Sequence, residues 1–127
     1  ECATCKREEM AIGKNAFSTP DEIGKRDYIH VGDLANNHVK AIDYLEKNNS
    51  KIFNVGYGKE YDVKEVVETV KSISNANFQV NMSSKRICDP YILVLENREL
   101  KNKINWKPKY DNLLIICEST YMGEVVN

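Results

Sequence analysis

No run of apolar residues in this chain approaches the ~20 that a helix needs to cross a bilayer, and no signal peptide opens it. The expectation is a cytoplasmic protein without a membrane partner. An excess of positive charge is also missing, since 18 basic residues face 19 acidic ones for a formal net charge of −1. Nucleic-acid surfaces rest on many Lys/Arg contacts to phosphate, so nucleic acid is not an expected partner either. The four cysteines lack the company that a metal or redox centre requires. Cys2 and Cys5 form a CxxC, whereas Cys88 and Cys117 stand alone. Zinc would need a second ligand pair at matching spacing, and a thioredoxin-like centre would start a helix after a strand. The pair reads instead as i, i+3 positions on the last turn of a helix, and no metal is expected. Repeats and low-complexity tracts are absent. So is an initial Met: Glu1 to Glu9 look like the charged end of a helix whose beginning is missing, which points to a piece of something longer.

What is present suits one α/β domain over residues 1–127 with a modest core: 42% of the residues are hydrophobic and 29% charged. Its densest chemistry lies in Arg26-Asp27-Tyr28-Ile29-His30-Val31-Gly32-Asp33. So many polar groups beside an apolar stretch need partners, so this packet is expected to line a polar site.

Before it, Met10-Ala11-Ile12-Gly13 reads as a buried strand end, and residues 14–25 have a loop composition without a period. After it, Leu34, His38, Ala41, Ile42 and Leu45 recur at helical spacing, with Asp33, Asn36, Asn37, Lys40 and Glu46 off that stripe. A helix buried through the apolar set follows, with His38 packed and making one hydrogen bond. Lys51 to Val55 reads as a strand that ends in the turn Gly56-Tyr57-Gly58. Asp62-Val63-Lys64-Glu65 then reads as a capping box for a helix whose buried stripe is Val63, Val66, Val67, Val70 and Ile73. The glycine pair lacks the third glycine of a dinucleotide fingerprint, so a tight turn is preferred to a phosphate loop.

Asn77 to Asn81 alternates like a strand, and Tyr91 to Leu95 returns to apolar after a proline. Between them Arg86 suits an anion, because a guanidinium can hold a phosphate through two parallel hydrogen bonds. Residues 96–104 read as a short charged helix, Trp106 as a core plug, and Leu113, Ile116, Cys117, Thr120 and Tyr121 as one side of a final helix.

Taken together, Arg26 to Asp33 with its helix, Phe53-Asn54-Val55-Gly56-Tyr57-Gly58, Lys85-Arg86 with Asp89-Pro90, and Trp106-Lys107-Pro108-Lys109-Tyr110 closely resemble the C-terminal part of the UDP-glucose 4-epimerases. These are extended short-chain dehydrogenase/reductases. The resemblance implies the C-terminal UDP-sugar-binding part of a Rossmann-fold enzyme whose N-terminal half, absent here, would bind NAD. It implies an isomerase of galactose metabolism that interconverts UDP-glucose and UDP-galactose through a 4-keto intermediate, and a homodimer at full length. It also implies that Arg26 and Arg86 grip the pyrophosphate and that Asp89 accepts from the ribose. Tyr28 would line the same cleft, the backbone of Ala11, Ile12 and Gly13 would lie beside the uracil, and Leu93 would help limit sugar size. The sequence departs from the family pattern at Gly13, Lys14, Glu22 and Cys88. None of the seven tyrosines is followed four positions later by lysine, so the family's catalytic Tyr-x-x-x-Lys is not in this chain, which alone is expected to be inactive. Two alternatives stand beside this reading. One is another nucleotide-sugar dehydratase or decarboxylase of the same superfamily, and the other is a degenerate nucleotide-sugar-binding fragment without catalysis.

Overall fold

A computed structural model describes residues 1–13, 24–83 and 90–126. The chain enters as a single 3-10 turn at Cys2–Thr4, closed by Cys5 in the left-handed region at φ 58°. The α-helical turn expected for the cysteine pair is thus a tighter element. The left-handed Cys5 stops it after one turn, and its amide donates back to the Cys2 carbonyl. Among the described residues Cys2, Cys5 and Cys117 are free thiols.

Strand β1 (Glu9–Gly13) follows, and pairs in parallel with β4 (Gln79–Ser83) in the register Gly13↔Ser83. Its inward residue Ile12 is buried with Val67 and Phe78 in one core cluster, beneath helix α2 (Val63–Ser74). The expected capping box starts this helix. The Lys64 amide donates to Asp62 at 2.7 Å and the Asp62 amide donates to Glu65 at 2.8 Å, so two of the orphan amides of the first turn are satisfied. Asn75 at φ 52° ends it. The valine stripe faces inward as expected, with Val67 buried and Val63, Val66, Val70 and Ile73 half-buried.

A second sheet holds β2 (Lys25–Arg26), β3 (Tyr61–Asp62) and β5 (Ile92–Leu93) in the order β3-β2-β5. Strand β2 runs antiparallel to β3 and parallel to β5. Only two residues of the apolar 91–95 stretch form a ladder. Lys51 to Val55 forms none among the described residues, although Phe53 and Val55 pack on the main core. Burial of alternate apolar residues, which suggested a strand, is achieved here by side-chain packing alone.

That main core joins Tyr57, Leu100, Ile104, Trp106 and Ile116. Trp106 is 2% exposed, and its ring stacks parallel to that of Tyr57 with centroids 6.0 Å apart. Leu100 and Ile104 come from helix α3 (Arg98–Ile104), which ends at Asn105 with φ 53°. Ile116 and Cys117 come from helix α4 (Leu113–Val126), begun by the Asn112 side chain, which accepts from the Leu114 amide at 2.8 Å. No helix among the described residues is long and apolar enough to cross a membrane.

Helix α1 (Val31–Leu45) departs from the reading of its sequence. Its buried positions are Asp33 and Asn37, continued by half-buried Ala41 and Tyr44. Ile42 and Leu45 of the supposed inner stripe are exposed, at 60% and 52%. His38 is exposed as well, and its Nδ1 donates to the Leu34 carbonyl at 2.8 Å, so the expected hydrogen bond is made without the expected packing. The helix packs on the core through Ala41 and Tyr44, and its first turn is held by polar partners that converge on Asp33.

Candidate functional site

The packet from Arg26 to Asp33 forms a knot between the small sheet and the main core. The Asp33 carboxylate, 2% exposed, accepts from the Tyr57 hydroxyl at 2.7 Å, from the Lys109 amide at 2.9 Å and from the Tyr110 amide at 2.8 Å. Its carbonyl accepts from the Trp106 indole at 3.2 Å. Burial alone would push this carboxyl up. The Tyr57 hydroxyl and the two amides, with His30 nearby, outweigh it and hold the carboxyl below its ordinary range. Burial, reinforced by the bond to Asp33, raises the Tyr57 phenol far above its usual value. The same phenol oxygen accepts from the His30 amide at 3.1 Å, and His30 Nδ1 accepts from the Gly32 amide at 3.0 Å as the N-cap of α1.

Asp27 ties the other side of the knot. Its carboxylate accepts from the Tyr57 amide at 3.0 Å, the Gly58 amide at 2.9 Å and the Leu95 amide at 3.3 Å. Gly56 allows this approach, since a Cβ there would stand 2.5 Å from Asp27 Oδ2 and 2.9 Å from Leu95 Cβ. Gly58, at φ 70°, completes the turn, and the buried Asn97 side chain donates to the Gly56 carbonyl at 2.7 Å. This arrangement bears on NAD, the cofactor that the fold family implies. A dinucleotide-binding turn offers its amides to a pyrophosphate. In Gly56-Tyr57-Gly58 the Tyr57 and Gly58 amides are already taken by Asp27, so the residues present do not fit that role.

The residues expected to bind a nucleotide sugar are distributed as follows. Arg26 and Leu93 are partners across the parallel β2–β5 ladder. Arg26 is half-buried, with Nη1 donating to the Lys25 carbonyl at 2.8 Å and to the Tyr91 carbonyl at 3.4 Å, and Leu93 is 50% exposed. Tyr28 is half-buried and faces a largely apolar cavity of about 310 Å³, between α2, α4 and the N-terminal turn, that Cys117, Thr120 and Tyr121 also line. Burial raises its phenol and Arg26 works against that. Ala11, Ile12 and Gly13 lie on β1 in the other sheet; the Ile12 side chain points into the core, and its carbonyl accepts from Ser83 Oγ at 3.3 Å. Arg86 and Asp89 lie outside the described residues, as do Lys14, Glu22 and Cys88 and most of the 14–25 loop.

The structure thus brings Arg26, Leu93 and Tyr28 to one sheet and its margin, whereas the Ala11–Gly13 backbone belongs to the other pair of strands. Sequence reasoning left Asp27 without a role and did not single out Tyr57. The available signal was a carboxylate next to an arginine and a Gly-Tyr-Gly turn needing a partner for its amides.

No protein-family model matches the chain. Over 121 residues it is 33% identical to a UDP-glucose 4-epimerase of Corynebacterium glutamicum, an overlap of 95% of this chain and 37% of that protein. With a UDP-glucose 4-epimerase of Azospirillum brasilense the identity is 37% over 120 residues, 94% of this chain and 34% of the relative. The solved structure of the UDP-Glc/GlcNAc 4-epimerase from Campylobacter jejuni superposes with a TM-score of 0.85 at 41% identity, covering 98% of this chain and 38% of that one. The UDP-glucose 4-epimerase from Bifidobacterium longum, solved in complex with NAD+ and UDP, gives 0.89 at 26% identity, covering 99% and 37%. The chain spans little more than a third of the length of the curated relatives it matches, which fits a C-terminal portion. In sequence and in fold, this chain corresponds to that share of a UDP-glucose 4-epimerase and so to part of an extended short-chain dehydrogenase/reductase.

Proposed function

We propose that this chain supplies the nucleotide-sugar-binding part of an NAD-dependent, cytoplasmic UDP-glucose 4-epimerase that is a homodimer when complete. The observation that carries this reading is the parallel pairing of β2 with β5, which makes the cationic Arg26 a neighbour of the apolar, exposed Leu93. A cation beside an open apolar position suits a ligand that is a diphosphate at one end and a sugar at the other. Arg26 and Arg86 grip the diphosphate, and Asp89 accepts from the ribose. The backbone of Ala11, Ile12 and Gly13 reads the uracil edge, Tyr28 walls the cleft, and Leu93 limits the sugar. NAD, held by other parts of the complete enzyme, would supply the hydride acceptor and donor for interconversion of UDP-glucose and UDP-galactose through a 4-keto sugar, while this chain's residues bind and orient the UDP-sugar. The tyrosine base and the NAD site belong to polypeptide outside these 127 residues, so the chain alone is inert.

The test is a calorimetric titration of the chain with UDP, with NAD and with UDP after Arg26→Ala. UDP binds, NAD does not, and Arg26→Ala weakens UDP binding about tenfold or more, since a hydrogen bond to a charged group is worth about 1.5–3 kcal/mol. Equal UDP affinity in the two chains, or turnover of UDP-galactose by the unaided chain, would overturn this function.

A further inference from the structure

The ladder that places Arg26 is very short. Strands β2, β3 and β5 contribute two residues each, so few backbone hydrogen bonds hold their register. A slip of one residue between β2 and β5 would put Arg26 and Leu93 on opposite faces of the sheet. The backbone rungs between β2 and the segment around β5 run from the Lys25 amide to the Tyr91 carbonyl at 2.7 Å and from the Asp27 amide to the Leu93 carbonyl at 3.1 Å. Beyond them the Leu95 amide turns to the Asp27 side chain instead. The carboxylate takes up the end of the ladder and, with its remaining acceptor capacity, holds the Tyr57 and Gly58 amides. One side chain therefore fixes β2 against both the β5 segment and the Gly56-Tyr57-Gly58 turn.

We infer that Asp27 is the positioning residue of the nucleotide-sugar site: its carboxylate locks the register that keeps Arg26 beside Leu93. It touches no ligand in this arrangement, because its oxygens are committed to three backbone amides. The inference rests on the functional reading above and adds to it a residue whose effect on the ligand passes through its neighbour. Asparagine at this position keeps the shape but replaces one carboxylate oxygen by a donor, which faces backbone N–H groups and cannot accept from them.

The experiment compares the 127-residue chain with Asp27→Asn and with Ile104→Ala, a core substitution on α3 that lies outside the β2–β5 ladder. Each is followed by thermal melting, by amide hydrogen exchange and by titration with UDP. Asp27→Asn is expected to lose protection at the Tyr57, Gly58 and Leu95 amides and to bind UDP at least tenfold more weakly. Ile104→Ala is expected to melt earlier but to bind UDP within about twofold of the unaltered chain. If Asp27→Asn does not fold, Asp27→Glu takes its place, keeping the charge while displacing the carboxylate by one methylene; the same loss of UDP affinity is expected. Unchanged UDP affinity in the Asp27 variant overturns the inference, as does an equal loss in Ile104→Ala. Absence of UDP binding by the unaltered chain overturns the functional reading and this inference together, so the two failures are distinguishable.

Discussion

The Tyr57 hydroxyl donates to Asp33 Oδ2 at 2.7 Å while accepting from the His30 amide at 3.1 Å, so one phenol oxygen joins the Gly-Tyr-Gly turn to the first turn of α1. Tyr57→Phe keeps the ring stacked on Trp106 and deletes only that oxygen. It leaves one bond fewer on a buried carboxylate and an amide without its acceptor. Losing such partners costs about 1–3 kcal/mol, and urea denaturation of the two chains measures it. A change below the error of the method would show that the phenol packs here without contributing through its oxygen.

Asp33 also gives the fold an acid limit. Its carboxyl lies below the ordinary value of 3.8, so the folded chain holds the ionised form more tightly than the unfolded chain does. At neutral pH both states are ionised and the whole contribution is present. As pH falls through 3.8 the unfolded chain takes up the proton first, and stability is lost progressively until the folded carboxyl also protonates. Denaturation curves across this range should show a loss that Asp33→Asn makes shallower, the variant being already less stable at neutral pH. An identical acid dependence in the two chains would assign the limit to other groups.

Gly56 is demanded by contact rather than by its backbone angles. A Cβ at this position would meet Asp27 Oδ2 at 2.5 Å and Leu95 Cβ at 2.9 Å, and Asp27 cannot withdraw without giving up the Gly58 and Leu95 amides it holds. Gly56→Ala is expected to destabilise the chain by about 1–3 kcal/mol through overpacking. Amide exchange should show the damage centred on Tyr57, Gly58 and Leu95. Wild-type stability would mean that the turn shifts freely.

Local chemistry was the part of this fold that could be read from the residues. The Asp62–Glu65 box, the valine stripe of α2, the plug at Trp106 and the turn at Gly56-Tyr57-Gly58 are each decided within a few positions of the chain. The strand expected at Lys51 to Val55 was not, because alternation records which side chains are buried and says nothing about whether a backbone partner exists. Asp27 and Asp33 were visible as polar groups in need of partners, but those partners come from residues 57, 58, 95, 109 and 110, separations at which periodicity carries no information. Of the site, the packet itself was found. The resemblance already assigned Arg26 the ligand role and Asp33 a structural one, whereas the backbone amides that Asp27 holds became visible only in the folded chain.

The exposed end of the apolar stripe of α1 gives the sharpest contrast between pattern and packing. If the apolar stripe were buried, Ile42→Ala would open a cavity and cost about 2–5 kcal/mol, as is expected for Leu100→Ala in α3, where the side chain is 1% exposed. Ile42 is 60% exposed, so little area returns to water on truncation. Alanine is also the better helix former, by a few tenths of a kcal/mol. Ile42→Ala should therefore change the stability of this chain by no more than about 0.5 kcal/mol, while Leu100→Ala lowers it several-fold more. Paired thermal and urea denaturation of these two variants measures the difference. A loss at Ile42 comparable to that at Leu100 would mean that α1 packs through its apolar stripe after all.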